Sequence, residues 1–239
     1  MPLAAVRVKP RLPRAYLSFD GVDDYVNLSD TGAEWDFQSA ITVELHAKVA
    51  SIPRDTSRFF CGEGGKFRIG VYPNQSIHFW LMDAKGTVHS ILTGTKINAG
   101  TWYHIAGVYD GAKQRVYVNS AEDSNVLSWS GLLKEGNNNQ AVGAGFVGSA
   151  TYLNGSIALV RIYNRALAQA EIRHNMYRWG SPVKDGLVLW LAEDTINPPT
   201  WNDKSGCGND GTIYGAVKVE RPYEAARVNS AARVLAAVR

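Results

Sequence analysis

TVELHAKV, residues 42–49, alternates apolar and polar side chains without a break: Val43, Leu45, Ala47 and Val49 against Thr42, Glu44, His46 and Lys48. A period of two marks a strand, because successive side chains leave opposite faces of a pleated chain. The pattern predicts one face on a core and the other in water. Similar short runs follow on both sides: FRIGVY at 67–72, SIHFWLM at 76–82, WYHIAGVYD at 102–110, RVYVN at 115–119 and SIALVRIYN at 156–164. Turn signals separate them, among them Pro73-Asn74, Lys85-Gly86, Asn98-Ala99-Gly100 and Asp110-Gly111. Strands alternating with long helices are missing, which argues against a βαβ architecture. The expectation is an all-β fold, a two-sheet antiparallel β-sandwich or jelly roll.

Two segments read as helical. ALAQAEIRHNMYRW, 166–179, sets Leu167, Ile172 and Met176 on one side, and 224–239 forms an amphipathic C-terminal helix through Val228, Ala231, Leu235 and Val238. Residues 1–15 read as a basic extended arm, with Arg7, Lys9, Arg11 and Arg14 among Pro2, Pro10 and Pro13. The expected organisation is an arm at 1–15, a sandwich at 16–219 and a helical tail at 220–239.

The 239 residues, 45% hydrophobic and 20% charged, suffice for one large all-β domain or two small ones, with a real core. A net charge of +3 gives no bias toward nucleic acid, so no specific nucleic-acid partner is expected. No run approaches the ~18 apolar residues of a spanning helix. The opening MPLAAVRVKPRLPR is broken by Arg7, Lys9 and Pro10, so no secretory signal is expected; the chain would be made in the cytoplasm, its final compartment open. Cys61 and Cys207 are too few for a disulfide framework; they stand either as two thiols or as one bridge tying the C-terminal segment to the body.

LSFDGVDDYVNL (17–28), GTWYHIAGVYDG (100–111), RVYVNS (115–120) and NGSIALVRIYNRALAQAEI (154–172) follow one another in order. Together they resemble the successive strands of laminin-G-like, concanavalin-A-like modules. The resemblance implies a jelly roll used for adhesion, glycan recognition or assembly, often with one calcium ion. GLVLWL (186–191) and DKSGCGNDGTIYGA (203–216) resemble strands that usually precede LSFDGVDDYV. Residues 186–217 are therefore either permuted strands of the same domain or a segment exchanged with a neighbour.

Chemistry is sparse. Asp20, Asp23 and Asp24 in FDGVDDYV form the one acidic cluster beside a Gly turn, the donor type calcium takes. The carboxylate that the resemblance implies in the late strand is replaced here by Ala158-Leu159. No pair of carboxylates suits glycoside hydrolysis, and the five histidines show no metal or triad spacing, so no enzyme is expected. GAGFVG at 143–148 matches a dinucleotide fingerprint but precedes no helix. Trp129, Tyr152 and Asn138, in polar surroundings, are the candidates for glycan contact, while Trp80, inside an apolar run, reads as core. The leading expectation is a non-catalytic binding or assembly module, a structural or adhesion protomer of a larger surface or virion-type assembly. Its partners would be other protein subunits, its own kind or neighbouring structural proteins. The alternative is a lectin-like, carbohydrate-binding module with calcium.

Overall fold

The structure, a computed structural model, describes residues 11–28, 35, 37–136 and 139–221. Most of the expected arm, the tail helix at 224–239 and Asn138 lie outside the described residues. The first strands are β1 (Ala15–Asp20), β2 (Tyr25–Leu28), β3 (Ile41–Val49), β4 (Arg58–Glu63), β5 (Phe67–Val71) and β6 (Ser76–Met82). Then come β7 (Val88–Lys96), β8 (Tyr103–Tyr109), β9 (Lys113–Val118), β10 (Ala121–Glu122), β11 (Leu127–Ser128) and β12 (Gln140–Val142). β13 (Asn154–Tyr163), helix α1 (Gln169–Tyr177), β14 (Leu187–Asn197), β15 (Thr200–Asp203), β16 (Gly211–Tyr214) and β17 (Val217–Glu220) complete the order.

These pairings are antiparallel and fall into two layers. One runs β9–β8–β3–β13, and the far edge of β13 carries β1 along its first half and β14 along its second. β17 lies on the outer edge of β1. The other layer runs β7–β6–β5–β4–β12–β2–β16–β15. β14 belongs to both, pairing with β13 through 187–191 and, past a shift in register, with β15 through Ile196 and Asn197. Between the layers, Leu17, Val43, Leu45, Ile69, Phe79, Ile105, Val160 and Leu189 are buried together. Each such side chain contributes roughly 1.5–3 kcal/mol. The chain is thus a β-sandwich with one helix.

β3 departs from the simple reading of its alternation. Its polar positions are not in water: Thr42, Glu44 and His46 are as buried as Val43 and Leu45. A second apolar cluster covers that outer face, built from Trp102, Tyr163, Leu167, Ile172, Trp179 and Trp190. Glu44 is therefore enclosed and fully partnered. It accepts from His104 Nε2 at 2.9 Å, from Arg161 Nη1 at 3.0 Å and from Asn175 Nδ2 on α1 at 3.0 Å. Burial by itself would raise the Glu44 carboxyl, but the His104 hydrogen bond and the Arg161 charge hold it below the ordinary range. Arg161 also donates to Trp179 O at 2.8 Å, so one guanidinium ties the helix and its exit to the sheet. α1 starts without a hydroxyl at Ala168, yet Glu171 still accepts the Ala168 N–H at 2.8 Å, keeping half of a capping box.

Cys61 and Cys207 do not form the bridge considered from the sequence. Cys61 packs in the core on β4, and Cys207 lies between β15 and β16. β12, β2 and β16 separate β4 from β15, and at about 4.8 Å per strand that exceeds the ~7 Å Cα separation a disulfide spans. GAGFVG forms bends and a turn between β12 and β13, so the strand-to-helix turn of a dinucleotide site is not formed here.

Candidate functional site

The β1–β2 turn gathers the acidic residues. Gly21 takes a left-handed φ of 85°, which reverses the chain within a few residues. Asp20 then accepts the Val22 N–H at 2.8 Å, and Asp24 accepts the Asp20 N–H at 2.8 Å. These bonds bring one carboxylate oxygen each from Asp20, Asp23 and Asp24 within 4.8 Å of one another. Asp24 is nearly buried, while Asp20 and Asp23 are exposed. Burial raises the Asp24 carboxyl above its ordinary value, the Asp20 N–H offsets part of this, and the charges of Asp20 and Asp23 add to it. From β16–β17, Gly215 closes over the cluster at φ 73°; a Cβ there would run into the Asp24 carboxylate.

Aromatic side chains border these carboxylates. Tyr25 follows Asp24 directly and points outward from β2, because Val26 and Leu28 take the inward positions. Tyr214 stands opposite it in register on β16, and the two rings stack at 4.8 Å with 14° between planes. Tyr152 approaches Tyr25 from the other strand connection, 6.4 Å between ring centres. Val22 and Val217 are also strongly exposed, at 69% and 61%. A groove of about 550 Å³ opens beside the turn, lined among others by Asp20, Gly21, Tyr152, Asn154, Arg54 and Arg58. That volume suits a sugar-sized ligand.

Of the residues singled out from sequence, the three aspartates are thus together and Tyr152 lines the adjoining groove. Trp129 is placed differently. His89 lies parallel to its indole at 3.8 Å and Tyr109 at 4.0 Å, and two rings so close and parallel must occupy opposite faces. Its Nε1 donates to Gln114 Oε1 at 3.0 Å. Trp129 has no free face for a sugar and serves packing. Asn138 lies outside the described residues. Among the histidines, His46 is enclosed by Trp102 and Trp179, and burial, followed by the His104 charge, holds it well below its ordinary value.

The profile of the concanavalin A-like lectin/glucanases superfamily, in its laminin G form, matches residues 20–173. The chain belongs to that superfamily. A candidate carbohydrate binding protein from Bacteroides ovatus shares its fold with a TM-score of 0.69 at 17% identity. The match covers 90% of this chain and 62% of that one, so the present chain spans under two thirds of its length. The heptameric SAP-like pentraxin of Limulus polyphemus gives 0.56 at 14% identity, covering 88% of this chain and 96% of that one. The binding domain of Paraclostridial Mosquitocidal Protein 1 gives 0.53 at 13% identity, covering 74% and 49%. No curated protein matches the sequence. The superfamily's lectin-like sandwich is therefore the frame on which the aspartates and tyrosines sit.

Tyr25 and Tyr214 were not singled out from sequence, although the signal existed. In YVNL the alternation puts Tyr25 and Asn27 on the face opposite Val26 and Leu28. The partner Tyr214 becomes visible only once β16 is known to pair with β2.

Proposed function

We propose that this chain is a non-catalytic glycan-binding module whose ligand sits at the β1–β2 end of the sandwich. The observation that carries this is the Asp20/Asp23/Asp24 carboxylate cluster on the β1–β2 turn, with the stacked pair Tyr25–Tyr214 next in the chain to Asp24 and to Gly215, which closes over it. Aromatic faces pack against the C–H faces of sugars, and carboxylates take their hydroxyls directly or through a metal.

The donor set fits calcium. It is all hard oxygen, and the electrostatic neighbours of Asp24 are carboxylates alone. Asp20, Asp23 and Asp24 would hold the ion, which would neutralise their mutual repulsion and offer its remaining positions to solvent or sugar hydroxyls. The description of the Bacteroides relative as a candidate carbohydrate binding protein accords with this reading. The test is a glycan array probed in calcium and in EDTA: a defined set of sugars bound in calcium and lost in EDTA supports it, and a blank array under both conditions refutes it.

A second reading, a structural or adhesion protomer of a larger assembly, has one observation in its favour. β17 pairs only with β1 among the described residues, leaving a strand edge beside exposed Val217 and Tyr214. We also propose that 16–219 is one domain closed by its own C-terminal strands, since β14, β16 and β17 pair with β13, β2 and β1. Light scattering tests the assembly reading: a defined oligomer supports it, and a strictly monomeric chain counts against it.

A further inference from the structure

The outer face of the second layer carries a cation with no countercharge. Arg68 stands on β5 directly opposite Trp80 on β6. Its guanidinium lies 4.6 Å from the Trp80 ring centre, 4.9 Å from Phe146 and 5.9 Å from Phe59. Other partly or fully buried arginines have acids: Arg58 meets Asp55, Arg115 meets Asp110, Arg161 meets Glu44 and Arg165 meets Glu171, all within 3.2 Å. Arg68 meets none among the described residues, and its Nε is buried with no acceptor. Burial alone lowers its affinity for its proton, with no carboxylate acting in the other direction.

The surroundings keep this guanidinium in place. Its stem runs over Gly62 and beside Gly145: a Cβ on Gly62 would stand 2.9 Å from Arg68 Cγ, too close to be tolerated, while one on Gly145 would only touch Cδ at 3.4 Å. Trp80 and Phe146 remain half-exposed on either side. His78, the next outward residue on β6, is held neutral by burial and by the Arg68 charge. Leaving a half-buried guanidinium and its Nε unmatched costs stability. A leucine or methionine would fill the same space without that cost.

We infer that Arg68, Trp80 and Phe146 form a second ligand site that takes a carboxylate-bearing sugar. A planar guanidinium matches a carboxylate with two parallel hydrogen bonds, and the flanking rings offer flat faces to a pyranose. Neutral sugars would leave the cation unmatched. This site is separated from the β1–β2 turn by β4 and β12 in the sheet, and it needs no metal. It stands or falls independently of the calcium-dependent site.

The experiment is calorimetric titration of the full chain in EDTA, which silences any cation-dependent site. Two acidic probes, trigalacturonate and 3′-sialyllactose, distinguish a uronate from a nonulosonate source, and galactotriose and lactose are their neutral counterparts. One acidic probe should bind and its neutral counterpart should not. Arg68→Gln should weaken that binding roughly tenfold or more. Arg68→Lys should recover only part of it, because an ammonium cannot make the paired bonds. Trp80→Ala should weaken it while leaving cation-dependent glycan binding intact. Thermal melting checks that Arg68→Gln is folded; Trp80→Ala offers a second probe should it not be. Equal binding of acidic and neutral probes, no binding of either acid, or unchanged affinity in a folded Arg68→Gln overturns the inference.

Discussion

Replacing Glu44 by Leu should destabilise the protein far more than an average substitution does. In the native chain its two oxygens accept from His104, Arg161 and Asn175, and the Glu44 and Arg161 side chains are fully buried. Removing the carboxylate leaves the Arg161 guanidinium in an apolar enclosure beside Trp190 and Trp179, with only the Asn175 and Trp179 carbonyls as acceptors. Breaking one side of such a buried pair costs about 3–5 kcal/mol. For a domain of this size that lowers Tm by roughly 6–20 °C. Arg161→Met should cost a similar amount, because Glu44 is then the buried, unmatched charge. The double variant Glu44→Leu/Arg161→Met should cost much less than the sum, on the order of 1–3 kcal/mol. What remains is His104 Nε2, which loses its acceptor, and Trp179 O, which loses the Arg161 donor, whereas Asn175 keeps the Tyr163 hydroxyl at 2.9 Å. Urea unfolding of the three variants measures the cycle. Single substitutions costing under ~1 kcal/mol, or a double variant equal to the sum, would refute the description of α1 as clamped through this pair.

Other expectations concern pH, thiols and cations. His78, hydrogen-bonded to Ser57 Oγ at 2.8 Å, is pushed down to about 4 by burial and then by Arg68, against an ordinary 6.5. The unfolded chain therefore binds the proton first, and stability should fall as pH drops from about 6.5 toward 4, by about 3 kcal/mol if this group acts alone; His78→Gln should reduce that slope in urea midpoints measured between pH 7 and pH 5, leaving the part that His46 contributes. Burial pushes the Cys61 thiol up, so in native protein a thiol reagent should titrate Cys207 and leave Cys61 unmodified until denaturant is added. Fast labelling of both thiols in the folded chain would contradict the packing of β4. Calcium at about a hundred times its dissociation constant should stabilise the fold by about 2.7 kcal/mol. The resulting rise in Tm, about 5–10 °C for a domain of this size, should vanish in Asp23→Asn/Asp24→Asn.

Strand content was legible because the period of two survives wherever one face is packed. SIHFWLM is β6 residue for residue, and TVELHAKV is β3 but for Ile41. What the other face touches was not legible. Thr42, Glu44 and His46 look like a wetted face until α1 and Trp179 are laid over them, and the decisive partner of Glu44, Arg161, is 117 residues away. Trp80 went the other way: an apolar run suggested core, although Ile77, Phe79 and Leu81 already filled the inward positions and left Trp80 outside with His78. Trp129 looked available because its neighbours are Ser and Gly, and only the tertiary fold stacks His89 and Tyr109 on it. The Asp20/Asp23/Asp24 cluster was legible because one short turn contains it all. Its tyrosine border was not, since Tyr214 and Tyr152 reach Tyr25 from 189 and 127 residues away in sequence.

The most direct measurement is calorimetric titration of the strongest array glycan, in calcium, into the wild-type chain, Tyr25→Ala and Asp23→Asn. Asp23 is exposed and Tyr25 only partly buried on the outer face, so both variants should remain folded. The expected result is binding by the wild type that weakens roughly tenfold or more in each variant, in line with a lost stacking face or a lost metal ligand. Undiminished affinity in both would place the glycan elsewhere on the molecule and contradict the assignment of the β1–β2 end as the binding site.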